Sequence, residues 1–177
     1  MRPASGIHDS VRPLGPQLAK IHPGIALAVC LAALALQTLL PAHIPFAGLI
    51  DLPLLAVVYL ALLSKNVIAG MLIGMAVGLG QDSLSNGPIG LFGILKTIVG
   101  YSAASVSLLI EVDHPGARGV LAAAFFLAHA VLFWMLQSAL LGSSAAFDPA
   151  LTLILAATHA GAAILLFRIL DPLRPRP

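Results

Sequence analysis

Charge is the scarcest thing in this chain. Asp, Glu, Lys and Arg make up only 9% of its 177 residues, against about 25% in an ordinary soluble domain. No stretch is polar enough or long enough to form a separate soluble domain, so the chain reads as an integral membrane protein. The net charge of +2 is too small to point to nucleic acid. Cysteine is nearly absent too. Cys30 stands alone in an apolar run, a small packing residue that carries no information about redox compartment. The motifs of chemistry are missing: there is no H-E-x-x-H, Cys cluster, phosphate loop, dinucleotide fingerprint or paired acidic motif. Ser83, Ser85, His129 and Asp82 can be named as a triad from composition alone, but nothing in the sequence places them together. The expectation is a non-enzymatic protein with no cofactor and no metal. There is no solenoid-type repeat.

What the chain has in abundance is apolar sequence, 59% of its residues. Residues 1–23 hold Arg2, Arg12, Lys20 and four prolines without apolar periodicity. They are expected to be a disordered cytoplasmic tail; the alternative is a partner-binding motif. Pro23 then opens segment one, Gly24 to Leu40. Its apolar run is too long for a signal-peptide core and no small-x-small site follows in PAHIPFAG, so it is read as a retained helix. Segment two runs from about Leu49 to Leu63, three from Asn66 to Gly80, four from Ile89 to Ile110, five from Gly119 to Leu141 and six from Pro149 to Leu170. Segments two and three are short against the roughly 20 residues of a span. They are expected to tilt little, to thin the bilayer or to extend by a turn into their flanks.

Basic residues orient the segments. With six crossings, Arg2, Arg12, Lys20, Lys65, Arg118, Arg168, Arg174 and Arg176 all fall on one side, and the opposite connections carry no Lys or Arg. A re-entrant segment three would put Arg118 and the C-terminal arginines on opposite sides. The expected fold is therefore all-α: a compact bundle of six transmembrane helices over residues 24–171. Both termini are cytoplasmic, with a short tail at 172–177.

Residues 66–101 organise the rest. Asn66, Gly70, Gly74, Gly78 and Asp82 recur every fourth residue, which stacks them on one helix face. Three glycines there form a groove for close backbone approach, either for packing inside the bundle or for a partner's helix. The row ends in Gln81-Asp82. Ser-Leu-Ser-Asn-Gly-Pro then reads as a turn, with Gly87 in it and Pro88 at the first position of a new helix carrying Gly90, Gly93, Lys96, Gly100 and Tyr101. Lys96 sits about 12 Å below Pro88 at helical rise. It is expected to reach back to Asp82, or to the Gln81 amide and turn carbonyls; the alternative is snorkelling to headgroups.

Other polar residues have plainer expectations. Asp51, with Pro53 behind it, caps segment two. His129 and Gln137 share a face of segment five, His159 is midway along segment six, and Gln37 is near the outer end of segment one. His129 and His159 are expected to hydrogen-bond across helices. Glu111, Asp113 and His114 read as a solvated turn, Phe133 and Trp134 as packing or lipid-facing groups, and Asp171-Pro172 as the end of the last helix.

The pattern G-x-x-x-G-x-x-x-G-x-G-Q-D-x-x-S-x-G-P-x-G, followed by Lys96 and Gly100-Tyr101, resembles the signature of the rod shape-determining protein MreD family. The resemblance implies a multi-pass protein of the bacterial inner membrane that maintains rod shape by organising lateral peptidoglycan synthesis. It implies MreC as direct partner, and MreB, RodA and a penicillin-binding transpeptidase as members of the same complex. A second reading is a small-molecule-binding subunit similar to the substrate-capture component of energy-coupling-factor transporters, with Asp82, Lys96 and Tyr101 lining an outward pocket. That reading needs a roomy cavity with convergent polar groups near the outer surface.

Overall fold

The computed structural model describes residues 22–85, 87–110, 114–142 and 147–173. Over these residues the chain forms α1 (Pro23–His43), α2 (Leu52–Ser64), α3 (Val67–Leu84), α4 (Leu91–Leu109), α5 (Pro115–Leu141) and α6 (Pro149–Leu170). Short 3-10 turns occupy Pro45–Leu49 and Asp171–Leu173. Residues 1–21, Asn86, Glu111, Asp113 and the arginines at 174 and 176 lie outside the described residues. The readings made for them therefore stand as expectations.

Side chains with a free oxygen or nitrogen acceptor start the helices. Asp51 accepts from the Leu54 N–H, Asn66 from Ala69, His114 from Gly116, and Asp148 from Ala150 and Leu151. Each occupies the position where helix N–H groups otherwise lack partners. Lys65, at φ 44°, turns the chain from α2 into α3 within two residues. Segment three gains a turn over its expected length and reaches Leu84, whereas segment two does not lengthen.

Among the described residues, every helix except α2 is long and apolar enough to cross a membrane. The protein is thus an all-α, multi-pass membrane protein. Successive helices alternate in direction. Pro23, Ser64 and Asn66 meet at one end, Gly70 lies opposite Gly100, and Arg118 meets Asp171. Lys65, Arg118 and Arg168 consequently share one end, here the basic end.

α2 occupies the centre. Every residue from Pro53 to Leu62 is buried, and its neighbours are α1, α3, α4, α5 and α6. A helix apolar on all sides is what such a position requires. Leu54, Leu55, Val58 and Tyr59 pack with Val99 and Ala103 of α4, Phe126 of α5 and Phe167 of α6. α1 is the loosest element, with Ala33 its only buried residue.

A buried polar cluster around the start of α2

The glycine row is filled from within the chain. A Cβ on Gly74 would strike the carbonyl oxygen of Lys96, and one on Gly78 that of Phe92. A Cβ on Gly70 would lie 2.5 Å from the Gly100 oxygen, and one on Gly100 would meet the Gly70 oxygen in return. α3 and α4 therefore touch backbone to backbone over three turns. Of the two readings of Gly70, Gly74 and Gly78, packing inside the bundle describes this contact; α4 occupies the face that a partner's helix would need.

Asp82 closes the same hairpin. Its carboxylate is 1% exposed and accepts from the N–H groups of Gly90 (3.0 Å), Phe92 (3.0 Å) and Gly93 (2.9 Å). The charge thereby sits on the free N–H groups and the positive dipole end of α4. Gly90 caps this helix at φ 97°, a conformation that a side chain strains. α4 therefore begins at Leu91, and Pro88 lies outside it rather than at its first position. Asp82→Ala leaves three N–H donors, one buried and two part-buried, unmet. It is expected to lower stability by about 2 kcal/mol, read as a drop in the detergent thermal melt, while Asp82→Asn retains part of the effect.

Lys96 does not pair with Asp82. Its side chain is fully buried, and Nζ lies 2.7 Å from Oδ2 of Asp51 and 5.0 Å from the centre of the Phe92 ring. Two facts explain the correction. The Asp82 oxygens are engaged by α4's own N–H groups, and α2 begins directly beside α4. The Gln81 alternative fails as well, since Gln81 Oε1 is buried without a partner. Gly87 lies in the α3–α4 turn, and Tyr101 faces outward on α4, away from this cluster.

The start of α2 lies deep along helices that are long and apolar enough to cross a membrane. His159, whose Nε2 accepts from the Asp51 N–H at 3.0 Å, is ten residues after Pro149, the start of α6. At helical rise that places the α2 N-terminus roughly 15 Å below the start of α6. No water is available there for the free N–H groups of a helix, so side chains from other helices take them. The Asp51 N–H goes to His159 and the Leu52 N–H to Gln37 Oε1 at 2.8 Å. Pro53 has no N–H. The Leu54 N–H goes to Asp51 Oδ1 at 2.9 Å, and the Leu55 N–H to the Asp51 carbonyl at 3.2 Å. Every donor of the first turn is matched.

His159 is fixed in one tautomer by this arrangement. Nδ1 is 2.7 Å from the Leu155 carbonyl and must carry the proton, which leaves Nε2 as acceptor. With both ring nitrogens engaged, it cannot bond His129, so the expected His129–His159 hydrogen bond is corrected. His159 stacks on Phe126 at 3.8 Å. His129 stacks on Phe92 and Phe133, and its Nε2 is buried without a partner. Trp134 packs on Phe147. At the basic end, Arg118 binds Asp171 at 2.8 and 3.1 Å, and the Tyr59 hydroxyl approaches the same carboxylate.

Sequence reasoning missed the Asp51–Lys96 pair and the capping roles of Gln37 and His159. The signal was present: a helix too short to span, opened by Asp-x-Pro, must leave N–H groups inside the bilayer that need acceptors. Chemically, the cluster is an ion pair set on a helix terminus. Among the described residues, no three His, Cys, Asp or Glu side chains converge as metal ligands. No protein family, curated protein or solved structure matches the chain.

Proposed function

We propose that this protein is a non-enzymatic scaffold of the bacterial inner membrane, a component of the cell-elongation complex of the kind the MreD family represents. Six crossings with both termini cytoplasmic belong to this reading. The alternating helix directions and the shared end of Lys65, Arg118 and Arg168 support it. The observation that carries it is how the polar groups are used. Asp51, Asp82, Lys96, Gln37 and His159 spend their hydrogen bonds on helix termini and on one another. What the bundle offers its surroundings is apolar helix surface, including Met75 and Leu79 on α3 and Ile94 and Ile98 on α4. A rigid object of this kind acts by binding other membrane proteins. On this reading MreC is the direct partner, with MreB, RodA and the penicillin-binding transpeptidase reached through the complex.

Photo-crosslinkers placed in cells at Met75, Leu79, Ile94 and Ile98 test it. Capture of a single-span wall-synthesis protein is the expected result. Consistent capture of an ATP-driven transporter module would replace this reading with the substrate-capture one. That second reading has one observation in its favour: the Asp51 side chain is 16% exposed beside the buried Lys96. Against it, the α3–α4 contact is closed by glycine backbone, and Tyr101 is turned away from the polar groups.

A further inference from the structure

We propose that the apolar groove between α1, α2 and α3 holds an acyl chain of an anionic phospholipid whose headgroup binds at Lys65. The groove has a volume of about 710 Å³. Ala26 and Cys30 of α1, Leu60 of α2, and Ala69 and Ile73 of α3 line it. α1 buries one residue only, so little protein stands between it and α3. Hydrocarbon must supply the packing that a protein interior otherwise gives.

From Pro23 to Leu34, both of which line the groove, α1 runs about 16 Å, a length along which an acyl chain can lie.

Charge distinguishes the headgroup. Ser64 and Asn66 are the polar residues of the lining, beside Pro23 at the basic end of the groove, and Lys65 is the residue between them in the chain. α1 and α3 begin there and α2 ends there, so two positive helix ends against one negative end add to the lysine. Lys65 makes no ion pair with any described residue. The described carboxylates are engaged elsewhere: Asp51 by Lys96, Asp171 by Arg118, Asp82 at the start of α4 and Asp148 at the start of α6. No described carboxylate at the mouth neutralises it, and an anionic lipid phosphate is the complementary group.

The test uses the full chain in nanodiscs of equal phosphatidylglycerol and phosphatidylcholine with identical acyl chains, followed by native mass spectrometry of the lipid retained. The unaltered protein is expected to retain phosphatidylglycerol about fivefold over phosphatidylcholine, the effect of one basic side chain near an anionic headgroup. Lys65→Glu brings the ratio to one or below without loss of the chain-bound fraction. Ala69→Trp fills the groove and removes both lipids. Leu27→Trp, on the exposed side of α1 against the same groove, gives the same loss if Ala69→Trp does not fold. Equal retention of the two lipids by the unaltered protein overturns the proposal, as does a phosphatidylglycerol preference that survives Lys65→Glu. A second copy of the chain retained in place of lipid also overturns it.

Discussion

Gly74→Leu is expected to prevent assembly of the bundle. The added Cβ alone would strike the Lys96 carbonyl oxygen, with the Lys96 carbon at 2.6 Å and the Thr97 Cα at 3.1 Å. All three are main-chain atoms of α4, held by that helix's own hydrogen bonds, so no rotamer change relieves the clash. α3 and α4 must separate, and with them the contacts at Gly70 and Gly78. Overpacking a core costs about 1–3 kcal/mol where side chains can shift. Here a leucine opposes backbone, and the expected loss exceeds that range. Gly74→Ala should already lower the melting temperature by several degrees. Gly161→Leu is the control, because a Cβ there meets nothing within 4 Å. Size-exclusion profiles and thermal melts of the three variants check this. A Gly74→Leu protein that elutes and melts like the unaltered one would remove the glycine contact from the account.

Lys96→Met carries the second large expected effect. Lys96 is wholly buried and Asp51 nearly so. Removing one member of a buried ion pair costs about 3–5 kcal/mol, since the other charge stays in low dielectric without its partner. Asp51 also opens α2, the helix that every other helix packs against. Lys96→Met is therefore expected to loosen the whole bundle, visible as faster amide exchange along α2 as well as α4. Lys96→Arg does not restore the pair, because the wider guanidinium needs room that the Phe92 ring takes.

Much of the hairpin was legible in the sequence, because its logic is local. Gly70, Gly74 and Gly78 at four-residue spacing identify one helix face, and short connections bring the next helix to it. Asp51 was legible as a cap from its place before Pro53. The partner of Lys96 was not, because it depends on depth. Asp82 is near in sequence and Asp51 is 45 residues away, yet Asp51 lies at the start of a helix that begins inside the membrane. Nothing in the composition of α2 states where it begins; only the roughly 15 Å offset against α6 does. The same offset turns Gln37 and His159 from spare polar residues into acceptors for α2. Helix ends were misjudged where one residue decides them: Gly90, at positive φ, moves the start of α4 past Pro88. For the topology, the basic residues and the alternating helices point the same way, and the central α2, with 13 residues, is the helix too short to count as a candidate span.

The claim beneath these points is that α2 starts within the membrane and is held there by an ion pair with α4. A double-mutant cycle between Asp51→Asn and Lys96→Met, set beside one between Asp82→Asn and Lys96→Met, tests it most directly. Asparagine at 51 keeps an acceptor for the Leu54 N–H while removing the charge. The predicted result is strong coupling for the first pair, the double variant regaining at least about 1.5 kcal/mol relative to the sum of the singles, and a much smaller term for the second. Additive effects at Asp51 and Lys96, or the larger coupling at Asp82, would contradict it.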